Sequence, residues 1–290
     1  MSTQILLNGL LAGIWVSLLA TAFVIAYAGS RFFVFTFGIA YLYGAYGMLL
    51  FSHVLPLPVA AVMGVLIAAA TSILLETLLY RPIRRSRENN LILMLASIGA
   101  YVVLQNVVSL IFGDVTRSVR YWDVVEGHSI LGARVTSIQL LIAGVSVMVV
   151  ILVGFLVRTL SFGGRLRAIA SDASLARTVG VQIAPTRAWA AGIGGAMAGI
   201  AAVLMSLDTD MTPTMGFHAL LLAIVACIVG GITSYPGGVL GGLFVGLIMH
   251  LGVWKLPAAW QDAILFVVLL LFLFVRPHGF LGKPLRAATV

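Results

Sequence analysis

Uncharged runs separated by short polar breaks set the pattern of this chain. Residues 1–30 carry no charged side chain, and Arg31 ends that run. Residues 32–75 stay uncharged for 44 positions, broken near the middle by Pro56 and Pro58. Glu76 and a basic stretch with Arg81, Arg84, Arg85 and Arg87 follow. Runs 89–113 and 135–157 flank a loop, 114–134, in which Asp114, Asp123 and Glu126 balance Arg117, Arg120 and Arg134. The segment 158–187 sets five Arg against one Asp. Run 188–207 ends at Asp208 and Asp210, and 211–254 is again uncharged for 44 positions, broken at Tyr235-Pro236-Gly237-Gly238. A last run ends at 273–275, before Arg276, Lys283 and Arg286. A helix needs about 20 apolar residues to cross a bilayer, so each 44-residue run suffices for two crossings. The pattern predicts one all-α polytopic membrane domain over 1–290. It has about nine crossings, eight to ten depending on how the broken runs are counted.

Loop charge orients these crossings. Arginine-rich loops stay cytoplasmic, which places 81–87, 158–187 and the C-terminal tail inside. The balanced loop 114–134 and the acidic turn 208–210 fall outside, and counting crossings puts the N-terminus outside. The order of span, polar break, long uncharged stretch and further span occurs twice. The first long stretch starts at a basic break and the second at an acidic one, the sign of an inverted-topology repeat with broken helices. Gly195-xxx-Gly199 and Gly238-xxx-Gly242-xxx-Gly246 are small-residue stripes for close helix packing. Gly230, Gly231, Pro236 and Gly237 mark the break between the two halves of the second stretch.

Composition narrows the class. Hydrophobic residues make up 61% of the chain and charged residues 9%, with a mean hydropathy of +1.14. A soluble domain is roughly 25% charged, so a soluble enzyme and a disordered chain are both excluded. The net charge of +8 sits in loops between apolar runs, which positive-inside orientation explains without nucleic acid. The start, MSTQILLNGL, has no basic region, so the first run reads as a retained span. With Cys227 alone, no intramolecular disulfide or CxxC site can form. No P-loop, HExxH or GxSxG motif is present, and the five His are scattered. No catalytic residue, metal site or bound cofactor is therefore expected, and any ATP-Mg chemistry belongs to another chain.

One cytoplasmic stretch stands out: Arg165-Leu-Arg167-Ala-Ile-Ala-Ser-Asp172-Ala-Ser174-Leu175-Ala176-Arg-Thr-Val179-Gly180. Asp172 is a good N-cap and Gly180 a good C′ residue, with about seven helical residues between them. Leu175, Ala176 and Val179 form a small apolar face suited to a partner's groove, or to packing as an ordinary interfacial loop helix. Polar and aromatic groups at membrane depth are candidates for a solute path. They are Thr36, Tyr41 and Tyr43 in the first broken stretch, Gln105 and Asn106 in the next span, and Thr212, Thr214 and His218 in the second. Phe35 and Phe37 are candidate apolar walls. A lone amide is costly in hydrocarbon, so Gln105 and Asn106 are expected to face the bundle interior, on a path or in interhelical hydrogen bonds.

The stretch RLRAIASDASLARTVGV resembles the EAA-type coupling loop of ABC-importer permeases. With ETLLYRPIRRS, LASIGAYVVLQN, VGGITSYPGGVLGGLFVGL and the tail RPHGFLGKP, in that order, nearly the whole chain resembles the permease subunits of branched-chain amino-acid-type, binding-protein-dependent ABC importers. The resemblance implies a multi-pass bacterial inner-membrane permease working with a second, often different, permease chain. It also implies two cytoplasmic ATPase subunits and a periplasmic solute-binding protein. Solutes of such systems include branched-chain amino acids, urea or short amides, and aromatic or other organic acids. Where the family usually reads Asn-Phe-Ala-His-Gly, this chain has Val34-Phe35-Thr36-Phe37-Gly38. Thr233 stands at the second glycine position of the usual GGxGS turn, and Met249 where an acidic residue is common. These departures weigh against leucine or isoleucine and toward a bulkier or aromatic solute.

Two other classes compete on the residues alone. A self-sufficient secondary transporter or channel with an inverted repeat needs intramembrane ionisable groups. The candidates, Glu76 and Asp262, read as interfacial, with Glu76 pairing with a nearby arginine such as Arg81. An integral-membrane enzyme would need a catalytic cluster, which the sequence does not contain.

Overall fold

The structure is a computed structural model that describes residues 2–86, 89–119, 128–130, 133–252, 257, 260–276 and 279–282. Arg87, Arg120, Asp123, Glu126, Lys283 and Arg286, used above to read topology, lie outside the described residues. Among the described residues the regular structure is helical apart from one short antiparallel hairpin, His128–Ile130 with Ala133–Val135, and an isolated bridge between Arg117 and Met211. Six helices among the described residues are long and apolar enough to cross a membrane. They are α1 (Ser2–Ser30), a continuous rod built from α3 (Leu57–Leu74), a π-helical turn (Leu75–Tyr80) and α4 (Arg81–Arg85), then α5 (Asn90–Phe112), α6 (Ser137–Thr159), α9 (Ile183–Asp208) and α11 (Tyr235–Gly252). Three shorter apolar helices are α2 (Phe37–Ser52), α10 (Met215–Gly230) and α12 (Gln261–Val275). Two short helices, α7 (Ser161–Ser171) and α8 (Ala173–Thr178), lie between α6 and α9.

The duplication is built into the helix boundaries. Phe37–Ser52 and Met215–Gly230 each hold 16 residues and stand 178 positions apart. Leu57–Leu74 and Tyr235–Gly252 each hold 18 and keep the same offset. The last residues of α1 and α9, Ser30 and Asp208, keep it too. At this offset Thr36 matches Thr214, Gly38 matches Gly216, Pro58 matches Pro236 and Gly64 matches Gly242. The equivalent helices α1 and α9 run antiparallel: Gly29 lies against Ala190, Ala22 against Gly194, and Trp15 Nε1 donates to the Ala201 carbonyl (3.0 Å). The halves are therefore inverted relative to each other. Their packing is reciprocal, with α1 lying along α11 and α9 along α3.

Small residues make this packing possible. Along α1 and α11, Gly13 meets Leu243 and Gly246, Ser17 meets Gly242, and Thr21 meets Gly238. Along α9 and α3, Gly195 meets Ser72 and Gly199 meets Ala68. Ser17 Oγ also donates to the carbonyls of Gly13 (2.7 Å) and Val239 (2.8 Å). In hydrocarbon no hydrophobic effect drives helix against helix, so close backbone approach and such bonds carry the association. The core lies along α1, α2, α9 and α10, whereas α5, α6 and α12 turn large apolar side chains outward, among them Leu110, Ile151 and Phe274.

The expected break at 230–238 is a tight turn. Gly230 and Gly237 pack backbone to backbone, and Gly231 has φ +107°, a conformation that side-chain-bearing residues rarely adopt. Ser234 Oγ accepts from Gly237 N (3.2 Å). Pro236 sits in the first turn of α11, where a missing N–H costs nothing. The tail returns here: the N–H groups of Phe280 and Leu281 donate to the last carbonyls of α10, on Val229 (2.9 Å) and Gly230 (3.0 Å). Those carbonyls have no partner within their own helix. This contact accounts for the position of the GFLG part of the tail.

Candidate functional site

The two broken stretches meet at the starts of α2 and α10. Thr36 and Thr214 occupy the same position, each immediately before its helix and each in αR conformation. Two residues on, a Cβ on Gly38 would lie 2.6 Å from the Gly216 carbonyl oxygen, and one on Gly216 would press still closer on the Gly38 carbonyl oxygen. Tyr101 of α5 covers this crossing, its ring 5.9 Å from that of Phe217. Phe37 is buried with its ring edge-on to Phe23 (5.3 Å), and Phe35 is half-buried with its N–H donating to Ser97 Oγ (3.3 Å). Thr212 and Thr214 hydroxyls lie 3.3 Å apart at the α10 start, with Thr214 exposed. The structure thus brings Phe35, Thr36, Phe37, Thr212 and Thr214 to the two helix starts.

The remaining path candidates scatter. Tyr41 is in the core, its ring edge-on to Trp15 at 6.4 Å. Tyr43 is half-buried and its hydroxyl donates to the Leu104 carbonyl (3.3 Å). His218 is exposed, with Nδ1 3.7 Å from Asp262 Oδ2 in the first turn of α12. The expectation that Gln105 and Asn106 both face the interior is corrected. Gln105 is half-buried, but Asn106 is exposed on the outer face of α5, where its amide donates to the Val102 carbonyl one turn back (2.7 Å). Bonding its own backbone satisfies one of the two amide N–H donors on this outward-facing side chain.

A buried polar cluster that the sequence reading only touched lies below the α2 start. Thr36 and Tyr80 hydroxyls are 2.6 Å apart and buried. Glu76 is buried and paired with Arg84, not with Arg81. In a regular α-helix position i+8 lies about 80° round from i at 3.6 residues per turn. The wider π turn between Leu75 and Tyr80 brings Arg84 back over Glu76. Arg84 Nη2 also donates to the Ser30 carbonyl (3.4 Å). Its guanidinium stands 5.5 Å above the Phe32 ring, a cation–π contact. Arg187 Nε donates to the Gly29 carbonyl (3.1 Å). Ser30, Val34, Thr36, Phe37, Glu76 and Arg187 line a cavity of about 30 Å³, room for one or two waters. The Glu76–Tyr80 spacing of four residues was visible in the sequence; the π turn that aligns Arg84 was not.

The second candidate region is α7–α8. Asp172 Oδ1 accepts from the N–H groups of Ser174 (2.7 Å) and Leu175 (3.1 Å) and from Ser174 Oγ (2.6 Å). The Ser174 hydroxyl and then these amides hold its carboxyl below the usual carboxylate range. A depressed folded-state value means that the cap persists above the ordinary carboxylate range and is lost as pH falls through the lowered value. At the other end Gly180 has φ +85°, Val181 N donates to Ala176 O (3.0 Å) and Gly180 N to Arg177 O (3.1 Å), a Schellman closure. The helix therefore has defined ends although it holds only six residues. Its presumed apolar face divides. Leu175 and Val179 are 63% and 77% exposed, whereas Ala176 is buried against its own chain. In α7, Arg165 and Arg167 are exposed, and Arg167 Nη1 reaches the Val157 carbonyl (3.1 Å).

The inverted repeat, its two broken stretches and helices long and apolar enough to cross a membrane define a polytopic membrane protein. A family model described as "Branched-chain amino acid transport system / permease component" matches residues 5–273, and the chain belongs to that family. It is 31% identical over 298 residues to the high-affinity branched-chain amino acid transport system permease protein LivH of Escherichia coli (strain K12), covering 97% of this chain and 96% of that protein. To the high-affinity branched-chain amino acid transport system permease protein BraD of Pseudomonas aeruginosa it is 30% identical, with the same coverage. A 125-residue stretch, 40% of this chain and 36% of that protein, is 32% identical to the autoinducer 2 import system permease protein LsrC of Klebsiella pneumoniae.

Proposed function

We propose that this chain is a permease subunit of an ABC importer in a bacterial inner membrane. It pairs with a second permease chain and receives a small polar solute from a periplasmic binding protein. It couples passage to two cytoplasmic ATPase subunits, which hold the ATP-Mg. The reading gives nine crossings, one for each long or shorter apolar helix, with the N-terminus outside and α7, α8 and the tail inside. The observation that supports coupling most directly is α8, a helix fixed at both ends that turns Leu175 and Val179 away from the chain on an arginine-rich loop. The solute class is that of branched-chain amino acids, amides or urea, or aromatic and organic acids. Phe37 and Val34 at the α2 start favour a bulky or aromatic solute over leucine. A secondary carrier is disfavoured, because Glu76 is neutralised by Arg84 and Asp262 faces His218.

Two measurements test this reading. Ser118 and Ser174 are both exposed, and Cys227 is fully buried. In a Cys227→Ala background, an impermeant thiol reagent added outside intact cells is expected to label Ser118→Cys and not Ser174→Cys; the reverse result overturns the orientation. In a reconstituted complex supplied with radiolabelled leucine, phenylalanine and urea, Phe37→His with Val34→Asn is expected to shift uptake toward the smaller solutes. An unchanged preference order removes the α2 start from solute selection.

A further inference from the structure

Resting on the coupling reading above, we infer that Thr36 and Tyr80 are positioning residues. They form the last link of a side-chain relay from the cytoplasmic loop to the start of α2. The relay begins at α7, where the Arg31 guanidinium donates to the Ala170 carbonyl. Arg31 is the one described non-glycine residue with positive φ (65°), a conformation disfavoured for a side-chain-bearing residue. It ends α1, whose last carbonyls on Gly29 and Ser30 are held by Arg187 and Arg84. Arg84 pairs with Glu76, which lies four residues before Tyr80 on the same π turn, and Tyr80 bonds Thr36. Loop, α1, α9, the π turn and α2 thus meet at one group of buried or part-buried polar contacts, in which the backbone joins Arg31 to Ser30 and the π turn joins Glu76 to Tyr80.

Three features suit this set to transmission. The π turn is an inserted irregularity in an otherwise continuous rod, and such turns concentrate at functional sites. The adjoining cavity leaves room for the α2 start to shift against Glu76 and Tyr80. The Thr36–Tyr80 bond is the only hydrogen bond described between the Thr36 side chain and the π turn, and cutting it leaves the Arg84–Glu76 ion pair in place.

The test uses the full complex of both permeases and the ATPase subunits in proteoliposomes, with Cys227→Ala and a reporter at Val34→Cys. Its readout is the change in N-ethylmaleimide labelling of the reporter on adding ATP and vanadate. Tyr80→Phe strands the buried Thr36 hydroxyl and Thr36→Val leaves the Tyr80 hydroxyl only its interaction with Ser97, so each should lower the melting temperature, whereas the double variant removes both partners of the bond and should recover most of the loss. The ATP-dependent change in labelling is expected to fall at least about fivefold in each single variant, and to stay low in the double. Recovery of that change together with stability makes the bond merely structural and overturns the relay. So does an unchanged response in the single variants, or a reporter on the otherwise unaltered chain that does not respond. If the ATPase subunits do not co-purify with the unaltered chain, the coupling reading fails and the relay with it.

Discussion

Gly216→Val is expected to abolish recovery of folded protein from the membrane, and Gly216→Ala to lower its melting temperature markedly. The reason is the crossing of the α2 and α10 starts. A Cβ on Gly216 would press into the Gly38 carbonyl, which is backbone and cannot rotate away. Overpacking a well-filled core costs typically about 1–3 kcal/mol where side chains can yield, and here they cannot. Gly→Ala in a helix is otherwise favourable by roughly 0.5–1 kcal/mol. That sets the control: Gly99 and Gly144 have nothing within 4 Å of the added carbon, so alanine there should leave stability unchanged or raise it slightly. Gly38→Ala, the reciprocal substitution with its carbon 2.6 Å from the Gly216 oxygen, should behave like Gly216→Ala. Detergent-extracted yield and thermal unfolding by size-exclusion chromatography read every one of these variants. If Gly216→Ala melts with the Gly99→Ala control, the two helix starts do not touch.

How far the sequence discloses this arrangement depends on what kind of signal each part leaves. Uncharged runs mark the spans because burying charge in lipid is costly, so α1, α5, α6 and α9 lie close to where the runs fall. The prolines at 56, 58 and 236 mark the broken stretches, since proline cannot donate within a helix. The inverted repeat leaves few identical residues, because packing asks for small size and not for identity. Gly38 and Gly216 match, but at the same 178-residue offset Ala68 corresponds to Gly246. What escaped was decided by phase. The π turn rotates Arg84 onto Glu76, and no residue type announces such a turn. Leu175 and Val179 lie about 40° apart round the helix and Ala176 at the edge of the same arc, so a small rotation of α8 decides which of them the chain buries, and hydrophobicity alone does not fix that rotation.

That division of α8 sharpens the coupling experiment. Leu175→Arg with Val179→Arg is expected to leave the chain folded and inserted, since both side chains are already largely exposed. If the pair docks in a groove of an ATPase subunit, burying them there contributes roughly 1.5–3 kcal/mol each. Two guanidinium groups in their place must be desolvated without partners, a cost of several kcal/mol per ion. The summed loss exceeds what a small docking helix can absorb, so solute uptake should fall by more than about a hundredfold, at roughly 1.4 kcal/mol per decade. Retention of the ATPase subunits on the purified permease should fall with it. Ala176→Arg is the contrast: its side chain is 3% exposed, so a charge there disrupts the chain's own packing and should reduce expression as well as uptake. Normal uptake and normal ATPase retention in the Leu175→Arg, Val179→Arg variant, with the chain inserted at its usual level, would move the coupling surface away from α8. The exposed face of α7 around Arg165 and Arg167 would then be the next part of the loop to carry charge reversals, read by the same two measurements.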